Sequence, residues 1–458
     1  MTECNRKPIA FSSLERRKVI ADFAGGTIAS DAGGLLLREV DRQLGLTQAL
    51  ADVIPDPREP ALIRHEQRTM LAQRVLGIAL GYEDLNDHQT LRHDLLLQTL
   101  TEKTPDPEAP LASPPTLCRL ENRISRRALT RMATVLVETF IASFATPPAE
   151  LILDFDATDD RVHGRQEGRG FHGYYDHYCF LPLYVFCGEK LLVAYLRPSR
   201  IDAAKHSRAM LKLLVRRLRQ AWPKVRLIFR ADSGFCRWKL LRWCDRNAVG
   251  YCVGLARNTV LEAMAGPFMA AAAEAFAATG EKQRRFHELT YAAETWDRRR
   301  RVILKAEHLT QGPNARFVVT NLDQLPATQV YDELYVQRGD AENRIKEQQL
   351  GLFADRTSCH KFLANQFRLL LASAAYVLIE HLRRVGLKGT ELAQAQVSTI
   401  RTRLLKIGAR VVVSVRRIYL SLASGYPLRG LFRQVAVRLA AALMAGVPPG
   451  TAATPRPS

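Results

Sequence analysis

Between residues 151 and 255 the apolar pattern changes period repeatedly, and this stretch constrains the fold more than any other. Residues 151–156 (LILDFD) form a short apolar run that ends in acids, and 178–187 and 191–196 are two more, joined through Gly188-Glu189. Residues 203–222 switch to helical spacing, with Met210, Leu211, Leu214 and Leu218 on one face and basic residues on the other. A fourth apolar run at 225–229 leads into Arg230-Ala231-Asp232. A helical stretch at 238–246 and a fifth run at 251–255 follow. Short apolar runs bounded by turn residues read as strands, and a period near 3.6 reads as helix. The stretch is therefore a mixed α/β unit. Three strands, a helix, a strand, a helix and a strand is the order of a ribonuclease-H-like core, although on order alone other α/β folds remain open.

The flanks have a different character. Up to about Thr146 the chain reads mostly helical. Ser30 or Asp31 is placed to cap a helix through Leu44, and Pro60 to open one closing near Gly81. A long amphipathic helix is expected from Leu117 to about Phe144, before Pro147-Pro148 break the chain. Residues 258–326 hold an Ala-rich stretch and then three β-like segments at 284–291, 298–308 and 315–321. Residues 330–350 and 361–384 are helical, and 399–423 form a basic α/β region. The expected organisation is a mostly helical region at 1–148, a core at 149–257 and a β-rich insertion at 258–329. The core's final helices follow at 330–385, then a basic region at 386–447 and a disordered Pro/Ala/Thr-rich tail at 448–458.

Composition narrows the function. The 458 residues carry 66 Lys and Arg against 46 Asp and Glu, a formal charge of +20. Such a field favours polyanions, of which nucleic acid is the commonest. The longest apolar runs, such as 369–379, fall short of the roughly 20 residues that span a bilayer. The first 18 residues have no apolar core of signal-peptide type. Secretion and membrane insertion are not expected. None of the eight cysteines forms a CxxC pair, which speaks against a structural zinc and suits a reducing cytoplasm.

Acids stand out by context at three places in the chain. Asp154 and Asp156 lie on one face of the first strand, with Leu153 and Phe155 on the other, so alternation cannot choose between them. Asp232 ends an apolar strand before a Gly turn, where α/β sheets place functional groups and where an Asp also commonly caps a helix. Glu342 shares a helix face with Tyr335, Arg338, Lys346 and Gln349. Carboxylates from three parts of a chain can hold two magnesium ions for in-line phosphoryl transfer. A solvated surface face with i,i+4 ion pairs is the plainer reading of the Glu342 helix alone.

Four segments in combination resemble the DDE transposases of bacterial insertion sequences, nearest to insertion-sequence family 1380 in the hairpin-transposase-like group. They are Asp154-Phe155-Asp156-Ala157-Thr158 continuing to Gly173-Tyr174-Tyr175; Arg230-Ala231-Asp232-Ser233-Gly234-Phe235; the Tyr-x2-Arg-x3-Glu signature of Tyr335, Arg338 and Glu342; and residues 30–39, SDAGGLLLRE. The resemblance covers nearly the whole chain. It implies a ribonuclease-H-like catalytic core with a mostly β insertion. It also implies metal-dependent cutting and strand transfer at terminal inverted repeats. Asp156, in its Asp-x-Thr setting, matches the first acid and is favoured over Asp154; Asp232 and Glu342 match the second and third. These three are the expected catalytic residues and ligands of two Mg2+ ions per site, with Mn2+ able to substitute.

Expected DNA contacts are Tyr335, Arg338, Lys346 and Trp296. The wider group's signature has Lys or Arg seven residues after the Glu; here that position is Gln349, and Lys346 is the candidate replacement. Trp296, beside the basic run 298–301, is the candidate to stack on a flipped base, though packing is the commoner role for such a Trp. His163, His172 and His177 fall in a Gly-rich loop near the site. Arg64, Arg68, Arg74, Arg119, Arg123, Arg126 and Arg127 are expected to read the repeats, and Arg401, Arg403, Lys406, Arg410, Arg416 and Arg417 to hold the backbone. Partners are double-stranded terminal repeats, target DNA and a second copy in the synaptic complex. The expected location is the cytoplasm, on the nucleoid when bound to DNA. The rivals are a nuclease on the same core without strand transfer, and an inactive relic acting as a repressor.

Overall fold

Eight strands form one mixed sheet in the unit Ile124–Ser373, one of two compact units into which the chain divides. In the computed structural model residues 8–444 are described; the tail expected at 448–458 lies outside them. The strands are β1 (Glu150–Ala157), β2 (Leu183–Cys187), β3 (Lys190–Tyr195), β4 (Arg226–Ala231), β5 (Gly250–Leu255), β6 (Gln283–Tyr291), β7 (Arg300–Leu309) and β8 (Gly312–Thr320). Their order across the sheet is β3-β2-β1-β4-β5-β8-β7-β6. β1, β4 and β5 run parallel, and every other pairing is antiparallel.

Alternation along these strands gives the sheet two different faces. One face carries Leu151, Leu153 and Phe155 of β1, Leu227 and Phe229 of β4, and Tyr251 and Val253 of β5. Helices α1 (Arg126–Ala142), α2 (Ser207–Ala221), α3 (Trp238–Arg246) and α4 (Thr259–Thr279) cover it through Phe140, Leu211, Leu214, Leu218, Leu241, Leu261 and Ala265. Each such side chain, fully buried, contributes roughly 1.5–3 kcal/mol. The opposite face has Ile228, Cys252, Ile303 and Val318 packed against Val330, Tyr331 and Leu334. Asp154, Asp156 and Arg230 are in phase with this second face, which is the one that carries the polar chemistry. The segment 258–329 supplies α4 and strands β6, β7 and β8, which continue the sheet beyond β5.

Several sequence expectations need correction. The first described residues form an antiparallel hairpin, Ile9–Leu14 against Arg17–Ala21, rather than helix. Glu15 makes its tight turn at φ 53°. Asp31 does not cap the helix Gly34–Leu44; its carboxylate takes the Tyr82 hydroxyl at 2.8 Å and the Lys406 ammonium at 2.5 Å. Pro60 opens only a three-residue turn, and the helix proper is Gln67–Leu80, ended by Gly81. The long helix expected from Leu117 is two, Pro114–Asn122 and α1, because Ser125 Oγ accepts from the Ala128 N–H and starts a new helix. The run 178–187 also divides, since Pro182 cannot donate to a ladder. Its first half (His177–Phe180) joins a small sheet with Asp160–Arg161 and Gly170–His172.

Uninterrupted apolar runs understate the helices. Among the described residues two, Thr259–Thr279 and Phe362–Gly386, are long and apolar enough to cross a membrane by length and composition. The second is 78% buried within the protein, as a core helix is.

The unit made of Met1–Arg123 and Ala374–Ser458 joins the two ends of the chain. Ala32 N–H donates to Ile407 O and Gly33 N–H to Leu405 O. A Cβ on Gly33 would stand 2.1 Å from Leu404 O, so only glycine permits this approach. The SDAGG motif is thus a packing joint. In the same unit Arg74 and Glu121, both 1% exposed, form a buried pair at 3.2 Å, and Arg74 also meets His88.

Candidate active site

Asp156 and Asp232 come from neighbouring parallel strands. β1 and β4 pair through Asp154↔Arg230 and Phe155↔Ala231, so the next residue on each strand is one of the two acids. Asp156 is the penultimate residue of β1, its side chain 13% exposed. Its Oδ1 accepts from the Ala157 N–H at 2.8 Å. Asp232 leaves the sheet into the turn Ser233–Phe235, and its Oδ1 accepts from the Gly234 N–H at 2.9 Å. Asp232 thus caps this turn with one side of its carboxylate and keeps the other side free of that bond.

Glu342 approaches from an irregular helical segment. Residues Gln329–Tyr335 form a wide π turn, Val336–Arg338 a tight 3-10 turn, Gly339–Lys346 an α-helix and Glu347–Gly351 another π turn. The Arg338 guanidinium lies 2.6 Å from Glu342 Oε1 and 3.8 Å from Asp156 Oδ2, a cation between two of the acids. Burial, then the nearby charge of Asp232, pushes the Asp156 carboxyl up to about 7, and Arg338 only partly offsets this. Asp232 is raised too, by burial first and by Glu342, with Arg338 again opposing. Asp156 and Asp232 therefore share an electrostatic environment in which burial and like charge outweigh Arg338.

Asp154 stands apart from them. Its carboxylate is engaged by Arg230, with Nη2 2.7 Å from Oδ2 and Nε bonded to Oδ1. Both residues are buried. The two acids that alternation could not separate thus have different partners: Asp154 has a private cation, and Asp156 faces the other acids.

Tyr335 is half-buried beside Asp232 and Arg338. Gly254 of β5 makes room for it: a Cβ there would lie 2.5 Å from the Tyr335 hydroxyl and 2.8 Å from Ser233 N. Gly254 escaped the sequence reading, which tracked charged residues; the signal was a lone Gly inside an apolar strand. Lys346 is exposed at the end of the α-helical turn. Trp296 is not with the acids. It packs against the main core, edge-on to Tyr291 at 5.5 Å and under the Arg300 guanidinium at 5.5 Å.

Gln349 does not face the acids either. Its amide donates to Asp159 O at 3.0 Å and to Asp160 Oδ1 at 2.9 Å. His177 meets Asp159 Oδ2 at 2.7 Å, while His163 is exposed. Among the described residues no group of three His, Cys, Asp or Glu side chains is arranged to hold a metal ion.

The family model described as transposase DDE domain, group 1, matches residues 11–443. The chain belongs to this transposase family. No curated protein matches it. Among solved structures, a cryo-EM structure of a piggyBac transposase synaptic complex with hairpin DNA is similar at a TM-score of 0.40 and 11% identity, covering 82% of this chain and 80% of that chain.

As a DDE transposase domain the chain still departs from its expected basic contacts. Arg74 is buried on Glu121, and Arg123 is paired with Asp56 and Gln67. Arg401 donates to the Ala79 carbonyl, Lys406 is taken by Asp31 and Tyr82, and Arg403 pairs with Glu391. Arg64, Arg119, Arg126, Arg127, Arg410, Arg416 and Arg417 are exposed. Charge alone cannot tell a DNA contact from a structural ion pair, because both use the same residue types.

Proposed function

We propose that this transposase binds the terminal inverted repeats of an insertion sequence of the family-1380 type and cuts and joins DNA there by two-metal phosphoryl transfer. The observation that carries the reading is the emergence of Asp156 and Asp232 side by side from parallel strands, with Arg338 bridging from Asp156 to Glu342. The order β3-β2-β1-β4-β5, with β2 antiparallel to both neighbours, supports a ribonuclease-H-like core.

The donor chemistry fits hard divalent cations. All three groups are carboxylates, and Asp156 is destabilised by a neighbouring negative charge that a cation would relieve. Asp156, Asp232 and Glu342 would hold Mg2+, or Mn2+, once Glu342 turns from Arg338. Bound there, two ions supply activation of a water or 3′-hydroxyl and stabilisation of the leaving oxygen. Arg338, freed from Glu342, neutralises phosphate charge. Tyr335, hydrogen-bonded to Arg338, orients its guanidinium. Lys346, exposed one turn further along, reaches the DNA backbone. Trp296 contributes mainly by packing and is half-buried, which leaves part of it open to a base.

The protein acts on double-stranded element ends and target DNA, as a dimer in the synaptic complex, at the nucleoid. The exposed arginines 126, 127, 410, 416 and 417 carry the salt-dependent part of binding. The test is Mg2+-dependent cleavage of a labelled duplex bearing the element's end, by wild type and by Asp154→Ala, Asp156→Ala, Asp232→Ala and Glu342→Ala. Complete loss in the last three, against at most a partial loss in Asp154→Ala, supports the reading. A pre-cut end added to the same assay separates a transposase, which joins it to target, from a nuclease, which does not. Binding without cleavage by wild type in both Mg2+ and Mn2+ sinks the catalytic reading in favour of a repressor.

A further inference from the structure

The helical segment at 329–351 changes winding three times, from π to 3-10 to α to π. Runs of this kind have poorer hydrogen-bond geometry than a continuous α-helix. Their rotational register is not fixed by the backbone ladder alone. Glu342 sits near the middle, so a small roll of the segment would swing its carboxylate away from Asp156. A misplacement of about 1 Å costs on the order of 100-fold in a positioned reaction.

The segment is fastened to β1 at both ends. At the first end the Arg230 guanidinium spans the gap: it grips the Asp154 carboxylate and donates through Nη1 to Leu334 O at 2.6 Å. At the second end Gln349 Nε2 gives its two hydrogens to Asp159 O and Asp160 Oδ1. Asp159 and Asp160 directly follow the site strand, and Asp160 is tied by pairing to Phe180. Asp156 lies between Asp154 and Asp160 on one side, and Glu342 lies between Leu334 and Gln349 on the other.

We propose that Arg230 with Asp154, and Gln349 with Asp160, are positioning residues that clamp the 329–351 segment onto β1 and so set the Glu342 to Asp156 spacing. The inference rests on the reading of those two acids as metal ligands. Neither clamp touches the reacting atoms. The distal one is built for permanence. Asp160 is fully buried, and its second oxygen, Oδ2, has no hydrogen-bond partner among the described residues. Burial pushes its carboxyl up to about 8, against the Gln349 hydrogen bond and with the charges of Asp355 and Asp159, and Oδ1 is the oxygen that accepts from Gln349. A carboxamide provides the same acceptor. Gln349 is irreplaceable by contrast, because its two donated bonds need both amide hydrogens.

The test measures Mg2+ binding to the full chain by titration calorimetry, beside Mg2+-free binding to the duplex end. Gln349→Leu is expected to weaken Mg2+ binding about 10–100-fold, the usual effect of losing a residue that orients a metal ligand. Mg2+-free DNA binding stays unchanged, and Asp160→Asn, which keeps the acceptor oxygen, loses less Mg2+ affinity than the Gln349 variant. Should Gln349→Leu not fold, Gln349→Met carries the same expectation, being close in length and unable to donate. Wild-type Mg2+ affinity in the folded Gln349 variant overturns the clamp. Asp156→Ala and Glu342→Ala separate the two levels. If both bind Mg2+ as wild type does, the site itself is wrong; if both lose it while the Gln349 variant does not, only the clamp fails.

Discussion

Arg230 stands directly across from Asp154 in the parallel pairing of β1 and β4 and closes on its carboxylate with two nitrogens. Removing either partner leaves the other as an uncompensated buried charge, which typically costs about 3–5 kcal/mol. Asp154→Ala and Arg230→Ala are therefore expected to lower stability by that amount in denaturant unfolding. Replacing both by well-packed apolar residues (Asp154→Leu with Arg230→Met) should recover most of it. Asp156→Asn is the contrast: it removes a carboxylate held near like charge, and stability should hold or rise. Equal losses for Asp154 and Asp156 variants would refute the division of roles.

Arg74 and Glu121 make the same kind of pair in the unit built from the two chain ends. Glu121→Ala should cost about 3–5 kcal/mol, read as a shift of the unfolding midpoint. Arg74→Ala should weaken DNA binding only in proportion to unfolding. A folded Arg74 variant with lost DNA affinity would restore Arg74 as a DNA contact.

His88 sets an acid limit on that unit. Burial, then the charge of Arg74, holds its imidazole down at about 3 against an ordinary 6.5. The unfolded chain takes up a proton near pH 6.5 that the folded one refuses, so stability rises with pH across the interval from 3 to 6.5. The neutral ring's contribution is fully present above pH 6.5 and is lost as the pH falls toward 3. At pH 5 the loss is about 2 kcal/mol. Replacing it by Gln (His88→Gln) should flatten the slope of stability between pH 7 and pH 5. An unchanged slope would show that other groups set it.

The α/β centre was legible because each strand is a short apolar run closed by turn residues, and each helix keeps one apolar face. The strand ends of β1, β4 and β5 follow from that pattern directly. What could not be read was pairing. Asp154 and Asp156 are equivalent in alternation and differ only in that Arg230, 76 residues away, lies opposite one of them. Gln349 looked like a departure from a signature; its meaning lies in Asp160, far off in sequence and close in space. The basic residues misled for the same reason. Arg74, Arg401 and Lys406 have the composition of a DNA surface and are instead held by Glu121, the Ala79 carbonyl and Asp31. The N-terminal hairpin was missed because it buries nothing on either strand, so no apolar face marks it.

Gly254 offers the sharpest separation of site geometry from fold stability. A Cβ at this position meets the Tyr335 hydroxyl at 2.5 Å, Ser233 N at 2.8 Å and the Asp232 carbonyl carbon at 3.2 Å. The first contact is the end of a side chain and can yield; the other two are backbone and cannot move without carrying Asp232 with them. Overpacking of this kind typically costs about 1–3 kcal/mol, which a folded domain can tolerate. A shift of Asp232 by about 1 Å should cost about 100-fold in cleavage. Gly254→Ala is thus expected to stay folded, bind the duplex end and lose cleavage. Because the clash with Tyr335 is relieved in Tyr335→Phe and the backbone clash is not, the double variant should remain as inactive as Gly254→Ala alone. Recovery of cleavage in the double variant would place the defect in Tyr335 rather than Asp232.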